Sequence, residues 1–149
     1  MKFFYNDDLV GQIFKKHAFY KFLESRSIKW QDYISKRLLP DDSIYVIINN
    51  TFFVIECRFD DDTKYDELLL CDFKKKQYRK LLSRLNMKVI YVYLLGDIYK
   101  NFELNDALNY IHLMDCEYYF NYISSSAFNK HTNSLIFNKP LKFYFADLL

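Results

Sequence analysis

The stretch PDDSIYVIINNTFFVIECRFD, residues 40–60, decides the fold that we predict for this chain. It contains two runs rich in β-branched and aromatic residues, 44–48 and 51–59, and such runs are typical of strands. Asn49 and Asn50 lie between the runs, and asparagine tolerates the positive φ angles that a two-residue turn requires. The stretch therefore predicts a β-hairpin.

The position of the turn fixes which residues face each other across the hairpin. With the two asparagines at the turn, Ser43 lies opposite Glu56 and Asp41 lies opposite Arg58. Because side chains alternate along a strand, Asp41, Glu56 and Arg58 are expected on one face of the sheet. A slip of one residue would exchange Asp41 for Asp42.

Two carboxylates at converging strand ends form a hard-oxygen site. Asp41 and Glu56 would hold Mg²⁺, or Mn²⁺, together with water. Such a metal can activate a water molecule and offset the charge that develops when a phosphodiester is cleaved. Arg58 can hold a phosphate with two hydrogen bonds, but it cannot act as a base because it stays protonated. The same residues also fit a solvated hairpin end, since aspartate after Pro40 is common in turns.

The remaining sequence predicts an α/β domain. The order helix, hairpin, helix, strand, helix, strand indicates a mixed β-sheet flanked by helices, in one domain that spans 1–149. The hydrophobic pattern predicts the elements around the hairpin as follows: a helix from Asp7 or Asp8 to about Ser25, a short helical piece over 30–36, a helix over 64–86, a strand over 88–95, a helix over 104–114 and a strand over 117–123.

Composition limits the classes of function. The chain has 149 residues, of which 51% are hydrophobic and 27% charged, and this is the composition of a globular protein. A net charge of +2 does not by itself indicate a nucleic-acid partner. The three cysteines lack the spacing of a zinc site, so we expect free thiols in a reducing compartment. No apolar run approaches the ~18 residues of a membrane span, and a cytoplasmic protein is expected.

Basic residues are concentrated in the helix predicted over 64–86. Phe73 and Tyr78 are expected on its apolar face, together with three leucines. The other face would then offer phosphate contacts to DNA, although a solvated helix face has the same composition. The predicted DNA-binding residues are Lys74, Lys75, Lys76, Arg79 and Lys80.

Seven short phrases in a fixed order carry a resemblance to a known family. They are GQIF and KH within 11–17, LLPDD at 38–42, NNT and FVIE within 49–56, CDFKKKQY at 71–78 and YVYLL at 91–95. None of these phrases is specific alone, but their order and spacing together make the match to the family more specific. From about Gly11 to Tyr122 the chain resembles the PD-(D/E)XK nuclease superfamily, which has the restriction-endonuclease-like fold, and within it a group of small restriction-type nucleases.

The resemblance implies a Mg²⁺-dependent DNA endonuclease in which Asp41 and Glu56 bind the metal and the helix after the hairpin supports the site or contacts DNA. A homodimer is expected, because cutting two strands needs two sites and a symmetric protein matches two-fold DNA.

The sequence departs from the family at two positions. Arg58 stands where the family has its motif lysine, and Lys15 stands where the first helix often carries an acidic residue. Activity could therefore be weakened, or a lysine from elsewhere, Lys64 or Lys74, could take the missing role. The alternative function is a catalytically inactive module of the nuclease fold that binds DNA or protein. An RNA-processing enzyme on the same fold is a third, weaker alternative.

Overall fold

A computed structural model of the protein describes residues 2–5, 8–40, 42–59, 65–121 and 130–131, with side chains from residue 14 onward. Within these ranges six strands form one sheet in chain order. The first three pairings are antiparallel and the last two are parallel. The predicted α/β class with a mixed sheet is thus confirmed. The strands are β1 (Lys2–Tyr5), β2 (Asp8–Phe14), β3 (Ser43–Ile48), β4 (Thr51–Arg58), β5 (Lys88–Leu95) and β6 (Glu117–Phe120).

Helices connect the strands and make the parallel pairings possible, because a parallel neighbour can be reached only through a crossover connection. The crossover from β4 to β5 contains α2 and α3, and the crossover from β5 to β6 contains α4. None of the helices in the described ranges is long and apolar enough to cross a membrane. The helices are α1 (Lys16–Ser25), α2 (Tyr65–Leu68), α3 (Cys71–Leu81) and α4 (Asn105–Leu113), with 3₁₀ turns at Trp30–Asp32, Ser83–Leu85, Asp97–Tyr99 and Phe102–Leu104.

The hairpin has the register that the sequence predicts. Ser43 pairs with Glu56, and Ile48 pairs with Thr51 across the turn. Asn49 and Asn50 have φ angles of 47° and 61°, the left-handed conformation that a tight two-residue hairpin turn requires. Asparagine adopts this conformation at low cost, so the turn is specified by the local sequence.

One face of the sheet packs against α1, α3 and α4 around an aromatic core. The ring of Phe19 on α1 lies 4.9 Å from that of Tyr45 and 5.1 Å from that of Phe52, measured between centroids. Tyr78 of α3 closes the group, 5.5 Å from Tyr45. All four rings are fully buried, so this cluster fixes both helices on the sheet.

The opposite face of the sheet is buried as well. Val46 of β3, Ile55 of β4 and Leu94 of β5 are fully inaccessible to solvent. His131 lies against this face, with its ring centroid 6.1 Å from that of Phe53. Burial on both sides explains why β5 is an almost continuous apolar run, as we predicted for 88–95.

The prediction of a first helix starting at Asp7 or Asp8 is wrong in its first half. Residues 8–14 form β2, in which Gln12 pairs with Ile47 and Phe14 with Tyr45. The apolar residues of this segment fit both the period of a helix and that of a strand. A helix would contain Gly11, and a glycine inside a helix costs ~1 kcal/mol relative to alanine. Pairing with β3 therefore prevails, and the helix begins only at Lys16.

The helix predicted over 64–86 is divided into α2, α3 and a 3₁₀ turn. Its inward stripe is Cys71, Lys75, Tyr78 and Leu82, all buried, at alternating four- and three-residue spacing. Phe73 lies off this stripe and is 58% exposed, so its prediction as an apolar-face residue is wrong. The hydrophobic pattern gave the wrong face because a charged residue, Lys75, occupies a position on the buried stripe.

The other elements match their predictions more closely. The helix predicted over 104–114 is α4, and the strand predicted over 88–95 is β5 with the same bounds. The helical piece predicted over 30–36 is reduced to one 3₁₀ turn, and Ile34 just after this turn is buried. The three cysteines are free and buried. Of the strand predicted over 117–123, residues 117–120 form β6, Asn121 lies beyond the strand with a φ angle of 68°, and 122–123 lie outside the described residues.

Gly96 provides a test of how closely the ends of β4 and β5 approach. A Cβ at this position would lie 3.0 Å from the carbonyl oxygen and 3.1 Å from the Cα of Phe59. Both atoms belong to the backbone, so the two strand ends must separate to admit a methyl group. Gly96→Ala should lower the free energy of unfolding by about 1–3 kcal/mol in urea denaturation. Asp97→Ala, at the exposed neighbouring position, should have a much smaller effect; equal effects would contradict the close approach.

Glu117 on β6 predicts a pH dependence of stability. Its carboxylate lies 2.8 Å from Nε2 of His131 and 3.1 Å from Nζ of Lys130. Burial would raise the pKa of Glu117, but the hydrogen bonds and charges of its neighbours lower the pKa from 4.5 to about 2. Because the folded-state pKa is depressed, the stabilisation is complete above pH 4.5 and is lost as the pH falls toward 2.

The protein should accordingly melt at a higher temperature than its Glu117→Gln variant at neutral pH, and the two melting temperatures should converge as the pH falls through this window. Differential scanning fluorimetry across pH measures the difference. Glu103→Gln, at an exposed glutamate, is the matched control. A constant offset for Glu117→Gln at every pH would show that ionisation of Glu117 does not contribute.

Candidate functional site

An open cleft of about 640 Å³ lies at the end of β4 that follows Glu56. One wall is the segment 35–40, which leads into β3, and the opposite wall is the side of α3 between residues 73 and 78. The floor includes Glu56, Arg58 and Tyr91. The cleft therefore brings together Glu56, Arg58 and Lys74 of the predicted site residues, and two strands and a helix contribute to it.

Glu56 is the buried charge at the centre of this cleft. Phe52 and Val54 share its face of β4 and belong to the aromatic core, so the same alternation carries Glu56 inward. Its side chain is completely buried. A buried carboxylate is costly unless donors and opposite charges compensate for the lost water.

Three side chains compensate Glu56. Nη2 of Arg58 donates to Oε1 at 2.5 Å. Nζ of Lys74 lies 3.3 Å from Oε1 and 3.2 Å from Oε2, and the hydroxyl of Tyr91 donates to Oε2. Two positive charges thus meet one carboxylate. The donors come from β4, α3 and β5, so the carboxylate joins three elements.

Arg58 also connects the site to α2. Its Nη2 lies 3.5 Å from Oε2 of Glu67, which makes Arg58 a bridge between two carboxylates. Burial alone would lower the pKa of Arg58, but the charge and hydrogen bond of Glu56, with a further contribution from Glu67, raise it. The guanidinium therefore remains a fixed positive charge. Glu67 was not among the residues that the sequence singled out.

Tyr91 is a second residue that the sequence reasoning missed. Burial, and then the negative charge of Glu56, raise the pKa of Tyr91 well above its ordinary value, so the phenol stays protonated and donates. Tyr91 pairs with Val54 in the parallel ladder, which places it on the face that also carries Glu56. Aligning the strand over 88–95 in parallel with the hairpin could have identified it.

The second predicted metal ligand, Asp41, lies outside the described residues, as does Lys64. Asp42 is described: it is exposed, with a φ angle of 47°. Its carbonyl oxygen accepts a hydrogen bond from the amide of Cys57 at 2.9 Å, which extends the predicted register by one pair. The one-residue slip that would exchange Asp41 and Asp42 is therefore absent.

The predicted basic face of α3 is divided among different surroundings. Lys74 points into the cleft, whereas Lys75 is buried and donates to the carbonyl oxygen of Asp115 at 2.7 Å. Lys76 pairs with Asp72 at 2.8 Å. Successive residues of a helix point ~100° apart, so a run of lysines cannot share one face. The remaining two residues, Arg79 and Lys80, are exposed. DNA binding by the five basic residues of α3 stays a prediction.

The cleft as a whole is positively charged. Lys36 and Arg37 line it from the 35–40 wall, opposite Lys74, and Arg58 lies on the floor. Glu56 is the one carboxylate among the described lining residues. The guanidinium of Arg37 is held over the ring of Tyr20, 5.2 Å from its centroid. Such a surface attracts polyanions.

The donor chemistry of the site fits Mg²⁺ in kind. A carboxylate oxygen is the ligand that Mg²⁺ prefers, and this ion commonly takes only one or two protein carboxylates besides water and phosphate oxygens. In the described part of the chain Glu56 is not joined by enough Asp, Glu, His or Cys side chains to form a group of three. A metal at Glu56 would also compete with the charges of Lys74 and Arg58.

Comparisons with models of protein families, with curated proteins and with solved structures found no match for this chain. What the protein does must therefore be inferred from its own residues. The features that bear on function are the buried carboxylate of Glu56, the two cations and the phenol that contact it, and the positively charged cleft above them.

Proposed function

We propose that this protein is a metal-dependent DNA endonuclease of restriction-endonuclease-like fold, which hydrolyses phosphodiester bonds at the cleft around Glu56. One observation carries the proposal: the Lys74 ammonium lies 3.2 Å from the Glu56 carboxylate on the lining of an open, positively charged cleft. An acidic ligand beside a lysine is the combination that the PD-(D/E)XK resemblance implies. In this chain the lysine comes from α3, while β4 supplies Arg58 at the usual lysine position.

The side chains of the cleft have distinct roles in this proposal. Glu56, with Asp41 by resemblance, would hold the metal, which when bound supplies a Lewis acid at the phosphate. The Lys74 ammonium is a compact charge that can orient the attacking water. Arg58 offers a planar pair of donors to the phosphate oxygens and offsets the charge that develops there. Tyr91 is a positioning residue, since its hydrogen bond fixes one oxygen of Glu56.

DNA is the proposed partner, and the four cations and one carboxylate among the described lining residues support a polyanionic ligand. A homodimer is proposed as well, because cleavage of both strands of a duplex needs two sites related by symmetry.

A catalytically inactive module of the same fold is the second candidate. The observation that favours it is that the buried carboxylate of Glu56 already accepts hydrogen bonds from three side chains. A buried ion pair of this kind can be purely structural, because breaking it would leave an uncompensated charge. The protein would then bind DNA or another protein without hydrolysis.

Substitution of Lys74 tests the proposed origin of the lysine. Lys74→Gln should lower the rate of plasmid nicking in Mg²⁺ or Mn²⁺ on the order of 10²-fold, the cost of misplacing a group that positions the nucleophile. Arg58→Lys should change the rate only a few-fold, since an ammonium is already present. EDTA should abolish nicking, and Lys88→Gln, at an exposed position beside the hairpin turn at the other end of the sheet, should leave it unchanged.

The same assay separates three outcomes. A large gain for Arg58→Lys would show that Arg58 is a defect and that Lys74 does not serve as the lysine. Full activity in Lys74→Gln would remove Lys74 from the site. Failure of both the natural chain and Arg58→Lys to cut, with DNA binding intact, would establish the inactive module.

The affinity for metal ions should also change in Lys74→Gln, and it should rise where the nicking rate falls. The Lys74 charge competes with a cation at Glu56, and unit charges ~4 Å apart interact by about 1 kcal/mol even in water. Lys74→Gln should therefore bind Mn²⁺ at least ~5-fold more tightly in isothermal titration calorimetry, although it cuts more slowly. Glu56→Gln should lose the binding. An unchanged Mn²⁺ affinity in both variants would show that the metal does not bind at Glu56.

A further inference from the structure

Phe73 is an aromatic residue whose position the core does not explain. It lies on α3 away from the buried stripe, and 58% of its surface is exposed. Its ring lines the cleft beside Lys74, the next residue in the chain. A single exposed apolar side chain is common on protein surfaces, so exposure alone does not mark Phe73. What distinguishes Phe73 is that its ring lies on the wall of a positively charged cleft, where a bound ligand would cover it.

The opposite wall repeats this combination of apolar and charged groups. Leu39, 37% exposed, lines the cleft from the segment 35–40, next to Lys36 and Arg37. The cleft therefore offers apolar surface on both walls and cations on the walls and the floor. Positive charge for the backbone, together with aromatic surface for bases, is how proteins bind single-stranded nucleic acids.

We propose that Phe73 is a stacking platform for an unpaired base, and that the substrate is DNA with a single-stranded segment, such as a free strand, a flap or a bubble. This inference rests on the proposed function, because it places the phosphate of the stacked nucleotide at Glu56 and Lys74. In duplex DNA the base faces are covered by their neighbours and only base edges are accessible in the grooves, so Phe73 could not stack on them.

The size and charge of the cleft agree with this substrate. A volume of about 640 Å³ falls in the range of ~300–1,000 Å³ that is typical of clefts for small ligands, and an unpaired nucleotide is a ligand of that kind. A protein segment could also cover Phe73 and Leu39. The described lining has four cations and one carboxylate, which favours a phosphate backbone over a peptide.

Fluorescence anisotropy in EDTA tests the proposal without hydrolysis. Three labelled ligands of equal length are compared: a single strand, the blunt duplex of the same sequence, and a strand in which every nucleotide is abasic. The natural chain should bind the single strand most tightly. Phe73→Ala should weaken that binding about 5- to 100-fold, the loss of one stacked base, and Phe73→Trp should retain it.

Two controls isolate stacking from a general effect on the protein. Phe73→Ala should leave the affinity for the abasic strand and for the duplex unchanged, because neither offers an open base face. Phe102→Ala, which removes a ring that is 86% exposed and does not line the cleft, should leave all three affinities unchanged. Circular dichroism confirms that each variant is folded.

The proposal is overturned if Phe73→Ala binds the single strand as tightly as the natural chain, if it weakens duplex and abasic binding equally, or if no DNA is bound at low salt. Because metal is absent, the result does not depend on cleavage. Intact stacking with no cleavage of either the single strand or plasmid DNA in Mg²⁺ or Mn²⁺ would overturn the nuclease proposal alone. If plasmid DNA is nicked but Phe73→Ala binds the single strand as tightly as the natural chain, only the proposal that Phe73 stacks on a base is overturned.

Discussion

The burial of one carboxylate, that of Glu56, constrains the structure around the cleft. An ionised carboxylate without water is tolerated only where donors replace it, and here Arg58, Lys74 and Tyr91 do so. Each donor belongs to an element whose position is set by apolar packing. The aromatic core formed by Phe19, with its neighbours on the sheet and on α3, therefore fixes the distances within the charged cluster.

Much of the hairpin could be predicted because its determinants are local. An Asn-Asn turn and strict alternation specify the register, and the register puts Glu56 and Arg58 on one face. The fold at the N-terminus was predicted less well, because residues 8–14 fit both a helix and a strand until β3 provides a partner. The choice between helix and strand depends on pairing with another strand and cannot be deduced from the segment alone.

The cleft was predictable only in part, for a related reason. The residue that contacts Glu56 from α3 is Lys74, 18 positions away in sequence, and its approach depends on the rotation of that helix. The same rotation buries Lys75 and exposes Phe73, so three neighbouring residues have three different environments. A run of lysines indicates local charge, but only the packed helix determines which of them faces the cleft.

The topology of the sheet also has a consequence for the order of folding. β3 and β4 are joined by two residues, so their pairing closes with little loss of chain entropy, whereas β4 and β5 are joined by the long crossover through α2 and α3. We expect the hairpin to form early and the parallel pairing late. Until that late step we expect Glu56 to remain a solvated anion on the hairpin. The arrival of α3 and β5 then both removes its water and supplies two of the donors that replace it.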